Sequence, residues 1–203
     1  MDMKKIMHDT MILFVICIIS GLLLGLAHEV TYPITAARKA EEKAQSYRDI
    51  YVDADHFEDE ERVQALLENQ ADVLSAAGIS GAAINDCMTV YDASGNIIGY
   101  AMSVATSGKV GGMVTAVCYS LDGTVLGVKI LESSETAGLG SKAEEPAFTD
   151  QFAGKMVSAF KTVKGAASAD GEVEAISGAT ITSDAVVLAA NAGIAFAEYC
   201  AAN

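Results

Sequence analysis

From Met11 to Ala27 the chain reads MILFVICIISGLLLGLA, with no charged residue. A helix over that run rises about 26 Å at 1.5 Å per residue, the short end for a membrane span. His28 reads as neutral, and after Glu29 another uncharged stretch runs to Ala37, so the helix can borrow a turn on either side. A span over 10–28 is predicted, with 1–9 before it. The competing reading is a cleaved signal peptide. No small-x-small cleavage site closes the run, Gly25-Leu26-Ala27 being a poor substitute, and Phe14-Val15-Ile16 before Cys17 does not look like a lipoprotein signal.

After the span the pattern changes. Pro33 is expected to break the helix, and residues 35–50 (TAARKAEEKAQSYRDI) combine strong helix formers with interleaved charges. Residues 29–55 therefore read as a helical linker leaving the membrane. A second helix is expected over 56–77, where Val63, Leu66, Leu67, Val73 and Leu74 recur at helical spacing, with Gly78 and Gly81 ending it. The middle is β. Val90–Tyr100 and Val117–Gly127 each read strand, turn, strand, with a glycine at the turn and another four residues later. Together they predict an antiparallel meander of about four strands. The alternation fails over 131–145, a glycine-containing loop at a strand end. A short helix is expected over 146–152, with Pro146 in its first turn. A strand follows around Met156–Val163, then a small-residue loop over 165–171 and a closing helix over Thr182–Cys200. The fold class is α+β: one N-terminal transmembrane helix, then an antiparallel-sheet domain over 56–203 with flanking helices.

Charge narrows the choice of partners. Residues 1–50 hold six acids and six bases, so the whole net charge of −14 falls after residue 50. An acidic domain is a poor match for nucleic acid or anionic headgroups. Lys4 and Lys5 before the span favour an inside N-terminus, whereas Arg38, Lys39, Lys43 and Arg48 after it argue the other way. Of the cysteines, Cys17 is in the span and Cys87, Cys118 and Cys200 lie beyond it. An odd number makes no disulfide framework, and no C-x-x-C pair exists for zinc or iron–sulfur ligation. Cys87 and Cys118 read as small apolar residues in or beside strands. His8, His28 and His56 are scattered, so no metal site is expected. No dinucleotide fingerprint, P-loop or Ser/His/Asp arrangement is present, which counts against a hydrolase.

The richest stretch chemically is Ala175–Ser183, AISGATITS. Ser177, Thr180, Thr182 and Ser183 supply hydroxyls, and Gly178 and Ala179 keep the backbone open. A helix follows at once. Its first N–H groups lack internal partners and carry partial positive charge, so such a loop can seat a phosphate. On the residues alone an ordinary capped helix explains the stretch better, with Thr182 or Ser183 as N-cap and Asp184 in the first turn.

S-G-A-T-x-T-S ahead of a C-terminal helix resembles the flavinylation motif of the FMN-binding domain family. That family includes the G subunit of the Rnf electron-transport complex and the C subunit of the sodium-pumping NADH:quinone reductase. The resemblance implies covalent FMN, one per chain, joined through its phosphate to Thr180 by a flavin transferase. Ser177, Gly178, Ala179, Thr182 and Ser183 would surround it. The family has Asp six positions before the threonine; Glu174 stands there and would serve transferase recognition. A second match is Glu135-Thr136-Ala137-Gly138-Leu139-Gly140, similar to the family's E-T-P-G-L-G loop with Ala137 in the proline place. By resemblance, Glu135, Thr136, Gly138, Leu139 and Gly140 would close over the flavin and its phosphate.

The resemblance covers nearly the whole chain and is weakest over 50–85. It implies an electron-transfer subunit of an ion-translocating ferredoxin:NAD oxidoreductase, a translocase. The redox chemistry would be carried by the flavin, with no catalytic residue in the chain. Its partners would be the other Rnf subunits, the flavin transferase and the membrane, with the flavin domain on the extracytoplasmic side. Length favours the Rnf G subunit; the C subunit of the quinone reductase is the alternative. An FMN-binding domain serving another flavin chain and a membrane-tethered module with no redox role are further readings.

Overall fold

The computed structural model describes residues 3–203; the start of the 1–9 segment lies outside the described residues. The chain divides into two compact units, Met1–Ala44 and Gln45–Asn203. The first unit is helix. Helix α1 runs from Met3 to Ile50 without interruption, so the break expected at Pro33 does not occur. A proline inside a helix removes one backbone hydrogen bond. Strong helix formers follow, and Thr35 Oγ1 donates to the Thr31 and Tyr32 carbonyls at 3.1 and 2.9 Å, so the helix carries on past the loss. Residues Met7–Glu29 are long and apolar enough to cross a membrane, and their large side chains are exposed. The C-terminal helix meets the same criteria, but most of it is buried as core.

The second unit is built on a five-stranded antiparallel meander in the order β1-β2-β3-β4-β5, one strand more than expected. The strands are β1 (His56–Glu58), β2 (Ala82–Tyr91), β3 (Ile97–Ser107), β4 (Gly112–Ser120) and β5 (Val125–Ser133). Both expected hairpins form. In the first turn the Asp92 carboxylate accepts from the N–H groups of Ser94 and Asn96 at 2.8 and 2.9 Å. In the second, Asp122 accepts from the Thr124 N–H at 2.9 Å. Such Asp side chains mimic a backbone turn. A third turn joins β3 to β4 through Gly108 and Gly111, closed by the Gly108 N–H on the Gly111 carbonyl at 2.8 Å.

Two expected elements are redrawn. The helix over 56–77 is instead β1 followed by two short helices, α2 (Glu61–Leu67) and α3 (Gln70–Ala76). His56-Phe57-Glu58 pairs with Tyr91-Val90-Thr89, and pairing to an existing sheet outweighs weak helix preference in an acidic run. The apolar repeat survives: Val63 and Leu74 are buried, with Leu66, Leu67 and Val73 packed beside them. Gly78, at φ +72°, ends α3 as expected. The strand expected over 156–163 shrinks to β6 (Lys161–Val163), paired in parallel with β7 (Glu172–Glu174). The short helix forms as α4 (Pro146–Thr149) and continues as a 3₁₀ turn to Phe152.

Strand alternation sends the two faces of the sheet to different partners. Tyr100, Met102, Val104, Met113 and Val117 face helix α5 (Thr180–Ala202) in the main core. Ala101, Ala116 and Cys118 face the other way, onto Tyr47 and Tyr51 at and beyond the end of α1. Tyr47 is wholly buried, and its hydroxyl donates to Asp86 at 3.2 Å, while Ser103 donates to the other carboxylate oxygen at 2.5 Å. Six of the thirteen buried residues of α5 are alanine or glycine, and at Gly193 its backbone lies close to the sheet. Asn191 on α5 bonds both the N–H and the carbonyl of Phe160, at 2.7 and 3.0 Å, and so fixes the chain entering β6.

Candidate functional site

The loop that follows β5 and the start of α5 are far apart in sequence and adjacent in the fold. Between them lies a cavity of about 300 Å³, lined by Lys109, Glu135, Thr136, Leu139, Gly140 and Gly178 through Thr182. The two segments singled out in the sequence therefore form one site. They touch directly: Gly178 has φ +81°, and Leu139 Cδ2 sits 3.5 Å from where a Cβ on it would be.

Helix α5 starts earlier than expected. Thr180 is its first residue and Ala179 its N-cap, with φ −134° and ψ 39° and no capping side chain. Neither Thr182 nor Ser183 is the cap. The reason lies in their other bonds. Ser183 is wholly buried; its hydroxyl accepts from the Ile176 N–H at 3.0 Å and donates to the Ala179 carbonyl at 3.1 Å. It thus holds the turn that precedes the helix and does not line the cavity. Thr182 is also buried, and its hydroxyl donates to Glu135 Oε2 at 3.0 Å. Asp184 accepts a short hydrogen bond from Thr162.

Thr180 differs from both. It is exposed at the cavity, and its hydroxyl has no hydrogen-bond partner among the described residues. The N–H groups of the first helical turn beside it have no partner within the helix, which leaves them available to an anion.

Glu135 is half-buried, and its carboxylate joins three segments. Oε2 takes the Thr182 hydroxyl, and Oε1 takes the Val110 N–H at 3.1 Å. A Cβ on Gly108 would lie 2.2 Å from Oε1, and one on Gly140 would lie 2.5 Å from Oε2. Gly140 needs glycine for space, since Glu135 Cβ would also lie within 2.6 Å, whereas at Gly108 only the end of the Glu135 side chain would have to move. Gly138, at φ +77° with nothing near it, needs glycine for conformation. Its N–H donates to Ser141 Oγ at 2.9 Å, and the Thr136 carbonyl accepts from Leu139, closing the loop.

Glu174 and Ser177 sit elsewhere. They line a neighbouring open cleft of about 470 Å³ with Lys142, Glu145, Phe148 and Gln151. Gln151 bonds both backbone groups of Glu174, donating to its carbonyl at 3.4 Å and accepting from its N–H at 2.7 Å. The carboxylate of Glu174 is exposed at this face.

Sequence reading missed Lys109, the one cation lining the cavity, and Ile181. A signal for Lys109 was present: a lone lysine among Gly108, Gly111 and Gly112 in a hairpin turn. Among the described residues no cluster of His, Cys, Asp and Glu could hold a metal ion.

The FMN-binding domain family matches residues 107–195, the stretch that contains both halves of the cavity. Among relatives, the G subunit of the Na(+)-translocating ferredoxin:NAD(+) oxidoreductase complex of Acetobacterium woodii is 29% identical, over 95% of this chain and 92% of that one. The G subunit of the ion-translocating oxidoreductase complex of Cereibacter sphaeroides is 30% identical, over 84% of this chain and 74% of that one. Among solved structures, the NqrC of Shewanella oneidensis superposes with a TM-score of 0.52 at 26% identity, covering 58% of this chain and 61% of that chain. The likeness to the two G subunits extends over most of their length, well beyond the region around the cavity. This chain belongs to the FMN-binding domain family that includes the G subunits of ion-translocating oxidoreductase complexes.

Proposed function

We propose that this chain is the electron-transferring G subunit of a membrane-bound, ion-translocating ferredoxin:NAD oxidoreductase complex, and that it carries FMN on Thr180 through a phosphoester. The relatives named above motivate the complex. The observation that carries the site is Thr180 itself: an exposed, unpartnered hydroxyl at the first position of an uncapped helix, facing a cavity. A hydroxyl at the N-cap, one position earlier, is normally spent on the first free N–H groups of the helix. The Thr180 hydroxyl is not.

The residues present suit the group. The helix N-terminus and Lys109 supply positive potential for a phosphoryl bound at Thr180. Leu139 and Ile181, each about half exposed at 47% and 50%, supply apolar surface beside it for a planar ring. The cavity is at the small end of ligand sites, which suits a group held covalently by its tail. Thr180 Oγ1 would attack the phosphorus of an activated flavin phosphate donor handled by a flavin transferase. The hydroxyl proton passes to a base, and the donor's leaving group departs with the electrons of the broken P–O bond. Glu174, on the adjacent cleft, is the acidic residue the transferase would read. When bound, FMN supplies one- and two-electron redox chemistry, so the chain needs no acid–base triad of its own.

Residues 10–28 would cross the membrane once, with 1–9 cytoplasmic, 29–55 as the helical linker and 56–203 as the flavin domain on the extracytoplasmic side. The other subunits of the complex would hold the ferredoxin and NAD sites.

The test is co-expression of the full chain with a flavin transferase, then denaturing electrophoresis viewed under ultraviolet light. A fluorescent band is expected for the wild type and none for Thr180→Ala. A fluorescent Thr180→Ala band would overturn the assignment, and a dark wild type beside an active transferase would favour a non-redox module.

A further inference from the structure

We propose that Glu135 is the positioning residue of this site: its carboxylate ties the β3–β4 loop, which carries Lys109, to the first turn of α5, which carries Thr180. The consequence for flavin loading rests on the reading of Thr180 as attachment point; the tie itself is geometric. Thr182 Oγ1 donates to one carboxylate oxygen at 3.0 Å and the Val110 N–H to the other at 3.1 Å. Thr180 and Thr182 lie on different sides of the helix, one exposed and one buried, so the bond to Thr182 orients Thr180 without touching it.

The surroundings are built around this one side chain. It lies between the backbones of Gly108 and Gly140, where any Cβ would come within 2.2 and 2.5 Å of its oxygens. Neither glycine has a positive φ; what a Cβ at either would disturb is the Glu135 side chain in its present bonds, at Gly140 as far back as its Cβ.

Its charge argues against a direct role with the flavin phosphate. Two anions repel, and a phosphoryl oxygen at this site brings no proton to share. Both carboxylate oxygens already serve donors of the chain itself. The acid lining the cavity therefore organises the protein, and the cation lining it, Lys109, next to Val110, is the one whose charge suits a phosphoryl group.

The full chain in detergent tests this with Thr182→Val, Thr182→Ser and Glu135→Gln. The first readout needs no flavin: hydrogen exchange at the Val110 amide. Thr182→Val should speed that exchange about threefold or more, acting through Glu135, while Thr182→Ser stays near wild type. The second readout is the initial rate of covalent flavin loading by a transferase. Thr182→Val and Glu135→Gln should each slow it about tenfold or more with unchanged circular dichroism, and the double variant should be no worse than either alone. Unchanged Val110 exchange in folded Thr182→Val, or Thr182→Ser impaired as badly as Thr182→Val, would overturn the proposal. If the wild type takes no flavin, the Thr180 reading fails and the exchange result still decides on Glu135. If the wild type loads and both variants load equally fast, Glu135 fails while Thr180 stands.

Discussion

Gly193 of α5 lies directly against Val117 of β4: a Cβ at 193 would come within 2.7 Å of Val117 Cγ1 and 3.0 Å of its Cβ. The valine is wholly buried and has no room to retreat. Gly193→Ala is therefore expected to lower stability by about 1–3 kcal/mol, although alanine is the better helix former. A thermal melt of the detergent-solubilised chain checks this. A rise in melting temperature would show that the helix can lift off the sheet without loss.

Gly178 makes a different demand. A Cβ there would meet only Leu139, at an ordinary 3.5 Å, but φ is +81°. Gly178→Ala should cost about 1 kcal/mol through backbone strain, and it should slow flavin loading by shifting the turn ahead of Thr180. Melting and in-gel flavin fluorescence measured on one preparation separate the two effects.

Lys109 is the cation at the cavity, and it has no ion-pair partner among the described residues. Lys109→Met should reduce flavin loading about tenfold, and Lys109→Arg should retain most of it. Loading of the wild type should weaken with added salt more than loading of Lys109→Met, since screening acts on a charge only the wild type has. Equal salt slopes would remove Lys109 from the site.

The two tyrosines packed under the sheet contribute to the alkaline limit. Burial pushes Tyr51 up to about 12, and burial together with the Asp86 charge pushes Tyr47 further up. Both values exceed that of an unfolded tyrosine, about 10. The folded chain keeps protons that the unfolded chain releases. This contribution to stability is complete below about pH 10 and is lost as pH rises toward 12 and beyond. Melting temperature should fall steeply above about pH 10, in step with tyrosinate absorbance. The fall should be shallower in Tyr47→Phe and Tyr51→Phe.

Cys87, Cys118 and Cys200 are wholly buried, and burial holds the Cys118 thiol well above its ordinary range. Cys17 alone of the four is not packed inside the folded domain, and it lies on the apolar helix, where bilayer or detergent would cover it. A thiol reagent should modify at most one cysteine per folded chain and all four after denaturation. Fast reaction at two or more would contradict the packing of α5 on β2, which covers Cys87 and Cys200, or that of Tyr47 and Tyr51 under β4, which covers Cys118.

The elements most legible in sequence were those with a strong local cause. An uncharged run decided the apolar helix, and the Asp–Gly turns at 92–95 and 122–123 decided two hairpins. Where local preference was weak, the tertiary partner won. His56-Phe57-Glu58 became a strand because the edge of β2 was there to pair with. The proline at 33 was outweighed by helix formers on either side of it.

The site divides the same way. Residue pattern marked Ser177–Thr180 and Glu135–Gly140 as unusual runs of small and polar residues, but pattern without the resemblance could not rank their hydroxyls. By composition and spacing all four in Ala175–Ser183 looked alike, and only the motif resemblance singled out Thr180. The fold separated them: Ser183 is buried in the turn, Thr182 is bound to Glu135, Ser177 faces another cleft, and Thr180 alone stands free at the cavity. Composition and spacing act along the chain, so sequence determined the anchor helix, the meander and the glycine loops. Hydrogen-bond partners and the space beside a glycine depend on segments distant in sequence, so only the tertiary structure decided what Glu135, Lys109 and Thr180 each face.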